Sequence, residues 1–153
     1  MALSSEANLE CEVSNQDKIR YLKKYIILDR EINRMLGEVE KWRGRLSNVT
    51  ASYSSQPQGG GSIYGKTPDI IAKIVDLEQE INEQIDKLIS VRIEIAGVIG
   101  AVEDDVLRQV LQFRYIDGKP WERVAADMGY SWRNIHRLHS KALNKVKLAH
   151  NGT

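Results

Sequence analysis

The sequence predicts an all-α protein in which a long, coiled-coil-like helical hairpin precedes a three-helix domain. Two long segments carry apolar residues at alternating steps of three and four, which is the spacing of a coiled-coil seam. A segment rich in Ser, Gly and Gln separates them, and shorter amphipathic segments follow. We expect a disordered tail over residues 1–14, a hairpin over 15–102 with a flexible loop at 47–67, and a compact domain over 103–150.

Charge is strongly segregated along the chain, although the net charge is only +1. Residues 17–46 carry nine bases and five acids, and residues 69–105 carry three bases and ten acids. Residues 118–150 carry seven bases and two acids. Because these blocks differ in sign, the total charge says nothing useful about partners.

The single Cys11 cannot form an internal disulfide, which fits a reducing compartment. The N-terminal segment lacks the basic end and apolar run of a signal peptide, and no stretch of about 20 apolar residues could span a bilayer. We therefore expect a cytoplasmic protein that has no membrane partner.

The first long helix is expected to begin near Asn15 and to carry one apolar seam. That seam consists of Tyr25, Leu28, Ile32, Met35, Val39, Trp42 and Leu46. Because such a helix cannot bury its stripe alone, it requires a partner helix.

The second long helix is expected to start at Thr67, a suitable cap, with Pro68 at the first position, where a missing amide costs nothing. Its seam consists of Ile74, Leu77, Ile81, Gln84, Leu88, Val91, Ile95, Val98 and Val102. Pairing the two helices satisfies both stripes and their opposite charges. An antiparallel hairpin within one chain is the simplest arrangement, and a homodimer that exchanges helices satisfies the same pattern, so the sequence does not choose between them.

Two helices of the compact domain are predicted after Gly100. Acidic residues at 103–105 suit the first turn of a helix that ends at Asp117-Gly118, and its apolar face includes Val106, Leu107, Val110 and Leu111. The next helix has Trp121, Val124, Ala125 and Met128 at positions i, i+3, i+4 and i+7. Gly129 then breaks the pattern.

The third helix of the domain carries the candidate binding residues. Ser131 is suited to cap it, and its buried side consists of Ile135, Leu138, Ala142 and Val146. Its other side consists of Trp132, Arg133, Asn134, His136, Arg137, Ser140, Lys141 and Lys145. No acid lies between Tyr130 and Thr153. This layout is typical of a helix-turn-helix whose second helix enters the major groove of double-stranded DNA.

The segment VLRQVLQFRYIDGKPWERVAADMGYSWRNIHRLHSKALNKVK resembles region 4 of bacterial sigma factors, and in particular the phage-encoded, ArpU-type regulators of late genes. The resemblance covers roughly Asp105 to Lys147. It rests on a helix end of the form VLxxRY-DG, a W-E-x-V-A helix start, a G-x-S turn and a final K-A-L-x-K-V. No promoter-melting region is recognisable, so a complete sigma factor is not expected.

The resemblance implies roles for individual residues. Trp132, Arg133 and Arg137 would face base edges, whereas Asn134, His136, Ser140 and Lys141 would lie nearer the phosphates. Pro120 stands where the family usually has a Ser or Thr cap. Trp132 is unusual at a base-reading position, so the resemblance does not imply a particular target sequence.

Two other functions fit the same motif. One is the DNA-recognition, small subunit of a phage packaging terminase, and the other is an adaptor that binds host RNA polymerase. A catalytic role is not expected. Gly60 to Thr67 match the P-loop pattern, but the preceding residues cannot form the buried strand that a P-loop needs. His136, His139, His150 and Cys11 have poor spacing for zinc, so neither a cofactor nor a metal is expected.

Overall fold

The computed structural model describes residues 13–54 and 66–148. These residues contain helices and connecting turns but no strand, which confirms the predicted all-α class. The helices are α1 (Asn15–Leu22), α2 (Lys24–Ser54), α3 (Lys66–Gly100), α4 (Asp105–Tyr115), α5 (Trp121–Met128) and α6 (Trp132–Lys145). No described helix has the length and apolar character needed to cross a membrane.

Several expectations fall partly outside the described residues. Of the predicted disordered tail, only Val13 and Ser14 are described, and Ser14 caps α1 by accepting a hydrogen bond from the Asp17 amide at 3.2 Å. The Gly-rich part of the P-loop-like motif also lies outside the described residues.

The two long helices extend into the span 47–67, for which the sequence predicts a loop. Helix α2 continues to Ser54 because its seam continues through half-buried Val49 and residues 47–54 contain neither Pro nor Gly. Helix α3 begins at Lys66, so Thr67 lies inside the helix and is not its cap. A one-residue break at Lys23 also separates α1 from α2, where the sequence predicts one helix.

The chain divides into two compact units. Among the described residues, we call 27–54 and 66–90 the hairpin unit, and we call 13–26 together with 91–148 the C-terminal unit. The C-terminal unit therefore includes residues on both sides of the domain boundary that the sequence predicts at residue 103.

In the hairpin unit, α2 and α3 of the same chain pack along their seams. The buried residues are Ile32, Met35 and Val39 from α2 and Ile74, Leu77 and Ile81 from α3. Each is one of the predicted seam positions, and complete burial of such a side chain stabilises the fold by about 1.5–3 kcal/mol. An ion pair between Arg43 and Glu78 joins the two helices beside this core.

The C-terminal unit has two adjoining apolar clusters. The larger one contains Leu22, Ile95, Ile99, Val102, Leu107, Leu111, Tyr115, Ala142, Leu143 and Val146. The smaller one contains Val110, Val124, Ala125 and Ile135, which hold α4, α5 and α6 together. Helix α1 contributes fully buried Leu22, and the Lys18 ammonium donates to the Leu143 carbonyl at 2.9 Å.

Local sequence determines where the short helices begin and end. The Asp104 carboxylate caps α4 by accepting from the Leu107 amide at 3.0 Å. Pro120 occupies the cap position of α5 without a side-chain hydrogen bond. Gly129 ends α5 with a φ of 71°, in the left-handed region that glycine adopts at no steric cost.

Two glycine substitutions should change stability in opposite directions. Gly129→Ala should lower the free energy of unfolding by about 1–2 kcal/mol, because a Cβ disfavours a positive φ. Gly44→Ala should raise it by up to about 1 kcal/mol, because Gly44 lies within α2 and has open space around its Cβ position. Urea unfolding followed by circular dichroism measures both changes. Equal signs for the two variants would contradict the described backbone.

Candidate nucleic-acid interface

The turn between α5 and α6 fixes the start of the candidate recognition helix. After Gly129, the Tyr130 amide donates to the Ala125 carbonyl at 3.0 Å, which closes the end of α5. The Ser131 hydroxyl then accepts from the Asn134 amide at 3.1 Å and caps α6. This confirms the predicted cap, and it places Trp132 and Arg133 in the first turn of α6.

The inner side of α6 is anchored as the sequence predicts. Ile135, Ala142 and Val146 are buried, and Leu138 is partly buried against both clusters of the C-terminal unit. Leu143 is also buried, at 2% exposure, although the sequence analysis did not assign it to this side. Because the inner side is packed, the orientation of the outer side is determined.

Six of the eight candidate residues are exposed on α6. They are Trp132, Arg133, Arg137, Ser140, Lys141 and Lys145. Asn134 and His136 are partly buried. Arg133, Arg137, Ser140 and Lys141 follow the spacing i, i+4, i+7 and i+8, so they form one stripe along the helix. We call this the α6 stripe.

The cations of α6 lack acidic partners within the described part of the chain. Arg133, Arg137, Lys141 and Lys145 form no ion pair there. The cations on and just before α5 do have an acidic partner. Asp127 pairs with Arg123 of the same helix at 3.2 Å and with Lys119, which precedes the helix, at 3.0 Å. Lys119 also contacts the Phe113 ring at 3.8 Å. The uncompensated positive charge therefore lies on α6 and not on α5.

Asn134 holds the side chain of Arg137. The Arg137 Nη2 group donates to the side-chain Oδ1 atom of Asn134 at 3.0 Å. A guanidinium has five donors in a fixed plane, so this bond leaves the others available for a ligand. Asn134 thus has a positioning contact in addition to the phosphate contact that the resemblance implies.

An aromatic column supports the first turn of α6. The Trp132 and His136 rings have centroids 3.9 Å apart, and Trp121 of α5 contacts His136 at 4.9 Å and His139 at 4.5 Å. The Arg114 guanidinium lies over the Trp121 ring, 4.8 Å from its centroid. We call Trp121, Trp132, His136 and His139 the aromatic column. Trp132 is its exposed end, with 56% of its surface accessible.

His136 differs from the other candidate binding residues. Its Nε2 atom is buried and has no hydrogen-bond partner among the described residues. A buried polar atom without a partner costs about 1–3 kcal/mol, which the contacts with Trp121 and Trp132 offset. This nitrogen is buried and does not face outward. The ring packs against Trp132 and supports it. The phosphate contact remains a prediction from the resemblance.

Tyr115 and His139 form a buried polar contact that the sequence analysis missed. The Tyr115 hydroxyl lies 2.7 Å from His139 Nε2, and both side chains are buried. Burial, together with the nearby His136, Arg114 and Lys23, lowers the pKa of His139 to about 4. Burial also raises the pKa of Tyr115 to about 12. A neutral His139 can therefore accept a hydrogen bond from the Tyr115 hydroxyl at physiological pH.

The helical spacing indicates that His139 lies on the buried side of α6, where this contact forms. His139 lies four residues after Ile135 and three before Ala142, which places it on the buried side of α6. From its residue type alone, His139 is a candidate only for a zinc ligand. Among the described residues, no group of three His, Cys, Asp or Glu side chains could hold a metal ion.

The free energy of unfolding should fall as the pH is lowered from about 6.5 to about 4. Over this range His139 takes up a proton in the unfolded state but not in the folded state. The unfolded side chain has a pKa of about 6.5. From about pH 6.5 down to about pH 4 the unfolded state gains a proton that the folded state excludes, and the loss approaches about 3 kcal/mol. His139→Gln keeps an acceptor for Tyr115 and should flatten this part of the profile. Urea unfolding at a series of pH values tests this, and parallel profiles for the two proteins would refute the assignment.

Comparison with known proteins identifies the segment that contains this interface. Residues 104–148 match the family model described as Sigma-70, region 4. No curated protein and no solved structure matches the chain. The family match spans α4, α5 and α6 and supports a DNA-binding, transcription-related role. Over less than a third of its length, the chain is therefore similar to region 4 of sigma-70 factors.

Proposed function

We propose that this chain is a sequence-specific regulator of transcription that binds double-stranded DNA, of the phage-encoded type that activates late genes. The observation that carries this proposal is the exposed α6 stripe, whose cations lack acidic partners in the described residues. The stripe lies inside the segment similar to sigma-70 region 4. Unpaired cations along one exposed helix side favour a polyanion as the partner.

Arg133 and Arg137 are assigned to base reading. They lie one helical turn apart on the α6 stripe, in the first half of the helix, which is the half that reaches base edges in helix-turn-helix proteins. An arginine can donate two parallel hydrogen bonds to O6 and N7 of guanine, which contributes about 1–3 kcal/mol of discrimination. The contact with Asn134 restricts the rotamers of Arg137 before DNA binds.

Trp132 is assigned to an apolar contact beside these arginines. Its ring is exposed, yet the aromatic column holds one side of it in place. A held aromatic ring in the major groove fits the methyl group of thymine or the face of a sugar. In this assignment His136 acts through Trp132 by fixing its orientation.

Ser140, Lys141 and Lys145 are assigned to the DNA backbone. They lie further along α6, where a recognition helix leaves the base edges and passes the phosphates. Lysine contacts with phosphate displace condensed counterions, so they strengthen binding to every sequence and make it depend on salt. These residues therefore set the position of α6 and carry little sequence information.

Selection of bound fragments from a random DNA pool, followed by binding measurements, should separate the two groups of residues. Arg137→Ala should weaken binding to the selected site by about 5- to 150-fold and relax the preference at one base pair. Lys145→Ala should weaken selected and unselected DNA equally and reduce the salt slope by about 1. Lys41→Ala, at an exposed cation of α2, serves as the control and should change neither quantity.

Three outcomes would overturn parts of this proposal. An unchanged sequence preference in Arg137→Ala would remove that residue from base reading. An absence of DNA binding at low salt, together with co-purification of RNA polymerase, would favour a polymerase-binding adaptor. A large ring in solution would favour the DNA-recognition subunit of a packaging terminase.

A further inference from the structure

Helix α1 lies directly beside α6, although it is outside the segment that is similar to sigma-70 region 4. The Lys18 ammonium donates to the Leu143 carbonyl at 2.9 Å, and Asn15 Nδ2 lies 3.5 Å from Asn144 Oδ1. Leu143 and Asn144 both belong to the last turn of α6. The candidate recognition helix therefore has a neighbour that comes from the other end of the chain.

The contact with Asn144 places α1 at the edge of the α6 stripe. Asn144 is exposed, and it lies seven residues after Arg137 and four after Ser140, so it is on the same side of α6 as they are. Leu143, by contrast, is buried and belongs to the inner side. Because α1 contacts one residue of each kind, it lies along the boundary between the packed side of α6 and the side assigned to DNA.

The chain after α1 continues along α6 towards the turn that precedes α5. The charge of Lys23 is one of those that lower the pKa of His139, so Lys23 lies near the middle of α6. Ile26 Cδ1 then lies 3.6 Å from the position that a Cβ on Gly118 would occupy. The segment from Asn15 to Ile26 therefore runs antiparallel to α6 and lies beside it over about two turns.

Three of the four cations between residues 18 and 24 have partners inside the protein. Lys18 donates to α6, Arg20 pairs with Asp17 at 3.4 Å, and the Lys24 ammonium lies over a tyrosine ring, 4.8 Å from its centroid. Lys23 is exposed and forms no ion pair in the part of the chain that the structure describes. It thus has the same uncompensated charge as the cations of α6.

Lys23 and Lys24 lie on different sides of this segment. Eight residues turn an α-helix by about 80° beyond two full turns, so Lys23 is within a quarter turn of Asn15, which adjoins the α6 stripe. Nine residues turn it by about 180°, so Lys24 is opposite Asn15. Lys24 lies over Tyr21, whose hydroxyl donates to Glu94 of α3 at 2.5 Å. Lys23 is therefore the cation of the pair that lies towards α6.

We propose that Lys23 contacts a backbone phosphate of the DNA whose bases α6 reads. This inference rests on the proposed function, because it adds a contact to the same duplex. A phosphate is the expected ligand, since a helix beside the recognition helix faces the strand that borders the groove and not the base edges within it. The DNA interface thus includes α1 in addition to residues 104–148.

Binding measured at a series of salt concentrations tests this contact. Lys23→Gln should weaken binding to selected and unselected DNA alike, by about fivefold at about 150 mM salt, and should reduce the salt slope by about 1. Lys23→Arg keeps the charge and should keep both quantities. Lys24→Gln is the matched control, because it removes the same charge from the opposite side, and it should leave the slope unchanged. Equal losses for Lys23→Gln and Lys24→Gln would overturn the contact.

Phosphate ethylation interference locates the contact on the selected DNA. Ethylation of one phosphate should hinder binding of the natural protein and of Lys145→Ala, but not of Lys23→Gln. The same set of hindering phosphates for Lys23→Gln and the natural protein would overturn this inference and leave the proposed function intact, because the contacts of α6 would remain. If the natural protein binds no DNA at low salt, the proposed function fails and this inference fails with it.

Discussion

The orientation of α6 depends on the buried hydrogen bond between the Tyr115 hydroxyl and His139 Nε2, which are 2.7 Å apart. This bond joins the end of α4 to the middle of α6, and Trp121 of α5 packs on the same histidine. Burial keeps His139 neutral by lowering its pKa, so that Nε2 can accept a hydrogen bond from the hydroxyl. The three helices of the region 4-like segment are thus held by a polar contact as well as by the cluster around Val110, Val124 and Ile135.

The same arrangement gives the two sides of α6 different properties. The inner side is packed and fixed, whereas the outer side presents cations that have no acidic partner among the described residues. Between these sides, His136 is packed between two tryptophans and supports the exposed ring of Trp132. The outer side is positively charged, aromatic at one end and rigidly supported. Such a surface can bind DNA without first rearranging.

Much of the fold follows from local sequence. The helical periods, the Ser131 cap and the Gly129 turn predict α5 and α6 correctly because these signals act within a few residues. The break at Lys23 and the contact of Lys18 with the Leu143 carbonyl were not predictable in this way. They depend on packing between segments that are far apart in sequence, which periodicity does not detect.

The candidate site was predicted in part for the same reason. Helical spacing places the α6 stripe on the exposed side, but it cannot show which polar residues are used within the protein. Asn134 bonds to Arg137, and His136 is packed in the aromatic column. A histidine counts as polar in a periodic pattern, so its burial against aromatic rings becomes visible only when α5 and α6 are placed together.

The central claim is that the exposed side of α6 contacts base edges in the major groove. Protection of guanine N7 from methylation by dimethyl sulfate tests it directly, because N7 lies in that groove. The account predicts that the bound protein protects guanines in its selected site, and that one of them becomes reactive again when Arg137 is replaced by alanine. Bound DNA whose guanine N7 atoms remain fully reactive would contradict it.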